Sequence, residues 1–320
     1  MTQAAGHRRT TDVAIGVDIG GTNIRAARID RAGTITAHRK VRTEATRAPA
    51  LVRELVAALL DDAVVAIGIG IPGRVDRDGT TVLSAGYVDL AGVRLADEVA
   101  AATGRPAVMD NDAHMALTAE LTAGAARDAS DVALFTVGTG IGGAVAVDRR
   151  VIRGRGNAGQ LGHLTLDPDG PVCNCGRHGC SEVYASGTAL ARGIREAGLP
   201  DGTTAQALLA RADHDAVAGH VLRRWAGAWR SAIDTAVATL DPDLVVLGGG
   251  LGAAAAEAVA RFAPPASPWF DCPVVAARLG DDAGVIGAGL RAFEAIADPA
   301  TAADPVTAPA SALPAAGHSA

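Results

Sequence analysis

The sequence is poor in cysteine, aromatics and clustered basic charge: 320 residues hold four cysteines and 3 % aromatics, and the net charge is −6. No run of five or more Lys/Arg occurs anywhere. Without that electrostatic footprint, DNA and RNA are not expected partners. Long apolar runs are missing too. The most apolar window, "DLVVLGGGLGAAAAEAVA" from Asp243, is broken by glycines and by Glu257, short of the ~20 apolar residues of a membrane span. It reads as strand, glycine turn and helix. The opening "MTQAAGHRRTTD" has no apolar signal region before Val13, so no export is indicated and the cytoplasm is the expected compartment. In a reducing compartment, cysteines favour metal over disulfides.

What is present is ordinary globular material: 49 % apolar and 20 % charged residues, with length for roughly two domains. After a short polar arm (1–12), "VAIGVDIGG" reads as a buried strand running into a glycine turn, with "IRAARID" and "TITAHRKVR" completing a meander. "APALVRELVAALLDD" has helical spacing, "VVAIGIGIPG" is a buried strand, and "AVMDND" is a short strand delivering polar residues to its end. A helix follows, for which Asp112 could act as cap.

Near Asp131 the pattern of apolar run, glycine turn and apolar run returns in "VALFTVGTGIGGAVAV", so the chain reads as duplicated. Helices are expected at 187–197, 205–211 and 216–240, then the strand "DLVVLGGG", a helix, a strand near "PVVAA" and a last helix at 283–297. The tail from 298 to 320 is rich in Ala and Pro without apolar periodicity and is expected to be disordered. Alternating strands and helices with two such openings predict an α/β protein of two similar lobes around a central cleft, where ligands bind.

Three glycine turns follow three strands. In "DIGGTN", Asp18 precedes Gly20, Gly21, Thr22 and Asn23; "GTGIGG" begins at Gly138, Thr139 and Gly140; "LGGGLG" contains Gly249 and Gly250. Glycine lets backbone N–H groups cradle phosphate oxygens, and a carboxylate alongside can hold a hydrated Mg²⁺. Each turn alone is equally a plain hairpin. Three together are stronger. Asp110, Asn111 and Asp112 sit where a strand hands over to a helix. A carboxylate there suits proton abstraction from an attacking hydroxyl, with an amide to orient it, and suits helix capping equally well.

The densest chemistry is "GQLGHLTLDPDGPVCNCGRHGCSE". His163, Cys173, Cys175 and Cys180 form the Cys₃His set of a closed zinc site, and Gly176 and Gly179 supply tight turns. His178 is a spare candidate ligand, and Cys272 reads as a small core residue.

With these segments in hand, the chain resembles the ROK family of sugar kinases and repressors over about 13–297. "IGVDIGGTNIRAA", "GIGIPGRVD", "MDNDAHMAL", "TVGTGIGGAV", "GQLGH", "CNCGRHGCSEVYAS" and "VVLGGGL" occur in the family's order. The resemblance implies an actin-like ATPase (ribonuclease H-like) fold, with ATP, Mg²⁺ and Zn²⁺ as cofactors and a sugar or cyclitol as acceptor. It further implies an N-terminal lobe at 13–118 rejoined by the helix at 283–297, a zinc-bearing lobe at 119–282, and a homo-oligomer, dimer or tetramer. Carried over by position, Asp112 is the catalytic base, and Asn111, Gly73, Gln160, His163 and Glu182 contact the acceptor. Asp18, Gly20, Gly21, Thr22, Asn23, Gly138, Thr139, Gly140, Gly249 and Gly250 fall at nucleotide-binding positions.

Two positions depart from the family. Gln160 stands where its kinases usually carry Glu, and "LSAGYVDLAG" puts Gly86 where many carry Asn. Both are acceptor-contact positions by resemblance, so another hexose or a C7-cyclitol competes with glucose. The family's repressors carry a helix-turn-helix ahead of the sugar-binding lobes, and only twelve residues precede the first strand here. A kinase is therefore expected over a regulator or a non-catalytic sugar sensor.

Overall fold

The structure is a computed structural model describing residues 12–76, 79–86 and 88–297. The arm through residue 11 and the Ala/Pro tail from 298 lie outside the described residues.

Strands β1 (Val13–Ile19), β2 (Asn23–Ile29) and β3 (Ile35–Arg42) form an antiparallel meander. Helix α1 (Ala48–Leu59) crosses to β4 (Val64–Ile71), parallel to β1. A small hairpin, β5 (Gly73–Val75) with β6 (Val82–Ala85), and helix α2 (Leu95–Thr103) then lead to β7 (Ala107–Asn111), parallel to β4. The sheet order is β3-β2-β1-β4-β7.

Helix α3 (Asp112–Ala123) carries the chain to the second sheet, where β8 (Val132–Val137), β9 (Ile141–Val147) and β10 (Arg150–Val151) form another meander. After α4 (Ser181–Ala185), α5 (Gly187–Glu196), α6 (Ala205–Arg211) and α7 (Ala216–Leu240) comes β11 (Leu244–Gly248), parallel to β8. Helix α8 (Gly252–Phe262) connects to β12 (Val274–Ala276), parallel to β11, and α9 (Ala283–Ala297) is the last described helix. The second order, β10-β9-β8-β11-β12, repeats the plan of the first. The expected duplication is thus a duplication of topology.

The short α2, α4 and β10 and the β5–β6 hairpin are absent from the sequence reading. One local reading is corrected. Asn111, not Asp112, caps α3: its Oδ1 accepts from the N–H groups of Ala113 and His114 (2.9 and 3.4 Å). The extended backbone of Asn111 leaves its side chain facing the first turn, while Asp112 is already helical. The expected division at 118/119 falls inside this unbroken helix.

Each sheet has its own outer core. In the first, β1 and β4 pack Ile15, Val17, Ile67 and Ile69 against Val52 and Leu55 of α1. In the second, Phe135 of β8 meets Trp229 of α7 edge-on at 5.5 Å between centroids, and Trp225 adds a second such pair. A third core joins the sheets: Ile29 of the first and Leu134 and Val246 of the second close over Leu117 of α3 and Val285 and Leu290 of α9. Helix α3 is buried continuously from Ala113 to Leu121, as a helix lying between two sheets requires.

Helix α9 lies so close to its neighbours that backbone meets backbone. A Cβ on Gly68 of β4 would fall 1.8 Å from the carbonyl oxygen of Ala288, and one on Gly287 would fall 1.7 Å from that of Met115. Neither carbonyl can step aside. Gly287→Ala is expected to cost about 3 kcal/mol or more through overpacking. Gly227→Ala on α7, where a Cβ meets nothing within 4 Å, should instead stabilise by roughly 0.5–1 kcal/mol through helix propensity. Chemical denaturation of the two variants checks this, and equal shifts would remove the packing argument.

Candidate functional site

Strands β1, β8 and β11 each end in a glycine turn. At the end of β1, Gly20 N–H donates to Asn23 O (3.0 Å) and Thr43 Oγ1 fixes the Gly20 carbonyl (2.6 Å), leaving Gly21 and Thr22 exposed. At the end of β8, Gly138 N–H donates to Gly140 O (3.0 Å), and Gly138 and Thr139 are exposed. Gly249 sits at φ +75°, its Cα position pressed on the Val137 backbone at the end of β8, so a side chain there is doubly excluded. The turn leaves Gly249 and Gly250 open to solvent just ahead of α8.

Beside the Gly249 turn lies a cavity of about 170 Å³ whose walls include Asp18, Asp112, Thr136, Gly249 and Asp281. Burial pushes the Asp18 carboxyl up to about 7, with further upward pressure from the Asp112 charge. Arg25, 3.7 Å away, opposes this only in part. Burial likewise pushes Asp112 up to about 6, although its Oδ1 accepts from the N–H of Ala113 (2.8 Å). Two mutually repelling carboxylates in a shared cavity favour a cation or a proton there.

Asn111 is 6 % exposed and fully engaged. Besides capping α3, its Nδ2 donates to the Gly73 carbonyl (2.7 Å), tying the end of β7 to the turn before β5. Asn111 and Gly73, two of the five residues expected to contact the acceptor, are thus bonded to each other. Gln160 is half-buried and opens a single 3₁₀ turn, Leu161–His163. Gly86 is exposed past the end of β6, and a Cβ on it would meet nothing within 4 Å.

Sequence reasoning placed Asp110 at this junction but missed its buried partner His114 and the buried Glu120. Asp110 accepts from His114 Nδ1 through Oδ1 (2.7 Å) and from Arg153 Nε through Oδ2 (2.5 Å). Burial alone raises the Asp110 pKa, but the His114 and Arg153 charges outweigh it and hold that carboxyl well below the usual range. Glu120, fully buried in α3, accepts from the N–H groups of Ala125, Arg278 and Leu279 (2.6, 3.0 and 2.9 Å). It thereby fixes the segment leading to Gly280 and Asp281 on the cavity wall. The four-residue spacing of Asp110 and His114 across a strand–helix junction was a usable signal. Arg153 and the backbone partners of Glu120 left none.

The cysteine segment forms a separate cluster. The ligand atoms of His163, Cys173, Cys175 and Cys180 all lie within 4.8 Å of one another. Cys175 Sγ and Cys180 Sγ are 3.6 Å apart, as are Cys173 Sγ and His163 Nδ1. Tetrahedral bonds of about 2.3 Å place thiolates roughly 3.7 Å apart, so the donor set fits Zn²⁺. Burial and the crowding of Cys175 and Cys173 push the Cys180 thiol up to about 12, a penalty that a dication reverses. His178 is turned elsewhere, its Nδ1 lying 3.0 Å from Gly170 O. Cys272, also outside the cluster, packs partly buried against the second core.

Glu182 links this cluster to the glycine turn. Its Oε2 accepts from Ile141 N–H (2.8 Å) at the start of β9, and its Oε1 lies 3.9 Å from Cys173 Sγ. A Cβ at Gly140 would strike that Oε2 at 2.4 Å. The turn therefore needs glycine beside the carboxylate.

Known proteins resemble this chain in sequence and fold. The glucokinase of Streptomyces coelicolor is 33 % identical over 315 residues, covering 88 % of this chain and 98 % of the relative. The N-acetylmannosamine kinase of Salmonella paratyphi A is 34 % identical over 296 residues, covering 87 % and 97 %. Among solved structures, a ROK family glucokinase from Streptomyces griseus in complex with glucose and AMPPNP superposes with a TM-score of 0.76, at 33 % identity over 88 % of this chain and 99 % of its own. The fold is accordingly the actin-like ATPase fold. The sequence pattern of the ROK family runs from residue 14 to residue 293, through both sheets and the cysteine cluster, and the chain belongs to that family.

Proposed function

We propose that Asp112 is the general base with which this ATP-dependent sugar kinase prepares a hydroxyl of a hexose or hexose-like acceptor for attack on the γ-phosphate. The observation that carries this reading is the pairing of Asp112 with Asp18 in one cavity, beside the Gly249 turn, while Asn111 takes the capping role. Burial supports it further, because a carboxylate raised to about 6 is a stronger base than an ordinary one. Asp18 and its adjoining glycines would hold a hydrated Mg²⁺, which when bound neutralises phosphate charge. The solvent-exposed turns at Gly21, Thr139 and Gly249 would offer backbone donors to the phosphates and nucleotide. The remaining work is positioning.

Asp112→Asn should fold normally, since Asn removes repulsion with Asp18, and should lose about 10²–10⁴ in kcat. In the wild type, kcat/KM should rise with pH through about 6 as the Asp112 proton is lost, because only the ionised form accepts the hydroxyl proton. Turnover of the variant near the wild-type rate would sink the assignment.

The acceptor we propose is a hexose other than glucose or a cyclitol resembling one. Both relatives named above are sugar kinases with different acceptors. Gln160 offers one accepting oxygen and an NH₂ donor in place of a carboxylate, and hydrogen bonds to charged groups contribute more than neutral ones. Open space at Gly86 leaves room for a different ring substituent. Glucose should therefore not lead a kcat/KM panel of glucose, mannose, allose, N-acetyl sugars and a valiolone-type cyclitol. Gln160→Glu should improve glucose by about tenfold. Glucose best by tenfold in the unaltered chain would end this reading.

His163, Cys173, Cys175 and Cys180 would hold one Zn²⁺, which when bound cross-links the segment carrying Glu182 and the 3₁₀ turn after Gln160. One equivalent of zinc is expected by elemental analysis, and stripping it should raise the acceptor KM more than the ATP KM. Protein purified without chelator and found free of zinc would contradict this.

A further inference from the structure

His114 is 1 % exposed, and both of its ring nitrogens face acceptors. Nδ1 lies 2.7 Å from a carboxylate oxygen of Asp110, and Nε2 lies 3.1 Å from the carbonyl oxygen of Ala158. A neutral imidazole carries one N–H and satisfies one such partner, whereas an imidazolium satisfies both. The partners belong to different parts of the fold. Asp110 lies one residue before the end of β7 and two before Asp112, and Ala158 lies in the segment after β10, two residues before Gln160. That segment is anchored again by Arg153 Nε on Asp110 Oδ2 (2.5 Å). At Gly156 it passes so close to β5 that a Cβ would fall 2.1 Å from Val75 O.

We propose that His114 is a positioning residue, held as an imidazolium between Asp110 and Ala158, that locks the segment carrying Gln160 onto the strand-to-helix junction carrying Asp112. Its significance for acceptor binding rests on the kinase reading above. A buried cation requires a compensating charge. Asp110 supplies it, shared with Arg153; Asp76 of the turn after β5, Arg291 and Glu294 of α9, 3.6 Å apart, and Asp112 are other charged groups facing the cluster, while Arg150 on β10 is exposed. Burial lowers the His114 pKa, but Asp110 more than offsets it and the net shift is upward. Loss of the proton at higher pH leaves Nδ1–H on the charged acceptor, the stronger of the two bonds. The Nε2 lone pair then faces the Ala158 oxygen, and the lock opens. The imidazolium form is present below the raised pKa, and so is the lock.

The test has two parts. Nitrogen-15 histidine spectra of the whole wild-type chain should show His114 with both nitrogens protonated at pH 7; a singly protonated ring at that pH overturns the proposal. This part needs no substrate, so it fails or succeeds separately from the kinase assignment. In kinetics, the wild-type acceptor KM should climb at alkaline pH as the ring titrates while the ATP KM stays flat. His114→Gln should show an acceptor KM raised about tenfold or more that no longer changes across that pH range. An alkaline limb that persists in His114→Gln, or an ATP KM that moves as far as the acceptor KM, overturns it.

Discussion

The close approach of α9 to the first sheet and to α3 is the constraint on which the other features depend. At Gly16 and Gly68 the helix backbone touches the strands, and at Gly287 it touches α3; a Cβ on any of the three would lie within about 2 Å of a carbonyl oxygen. Close packing leaves no slack at such contacts. Helix α3 is therefore held at a set depth between the two sheets, and its first residue, Asp112, is held with it. Gly284 of the same helix α9 passes 2.8 Å from the Asp18 carboxyl when a Cβ is placed on it, so one helix sets the positions of both cavity carboxylates.

A second layer of polar contacts works on that frame. Asn111 joins the end of β7 to the turn at Gly73, Asp110 and His114 join it to the segment after β10, and Glu120 joins α3 to the wall near Asp281. Each is buried and each spans elements far apart in sequence. Buried polar groups of this kind carry a large penalty when unpaired, which makes their geometry specific. Asp110, Asn111 and His114 line one pocket together with Arg153, while Glu120 and Gly249 line the cavity that holds Asp18 and Asp112. Glu182 ties the turn at Gly138–Gly140 to the Cys₃His cluster.

Much of this was legible in the sequence. The two glycine-interrupted strand pairs announced the duplicated plan, because a buried strand ending in glycine has few other readings, and α6, α7 and α9 match their expected ranges through apolar periodicity. The four ligand residues were legible because Cys and His crowd into a short segment with glycine turns. Asp112 stood out as either cap or base, and only the observed backbone gave the cap to Asn111. The two departures from the family, Gln160 and Gly86, were likewise visible as residue types alone.

What the sequence by itself determined is the set of elements and the chemistry available to them: strand periodicity, turn residues and ligand types are local, and local preference acts within a few residues. What only the tertiary structure decided is which of those groups meet. Arg153 reaches Asp110 across 43 positions, Arg278 N–H reaches Glu120 across 158, and Ala158 meets His114 across 44. The upward shifts of Asp18 and Asp112 likewise come from burial and, for Asp18, from the opposing carboxylate. Neither exists until the two sheets have closed over α3 and α9, because desolvation and Coulomb repulsion depend on distance in space and leave no periodic trace along the chain.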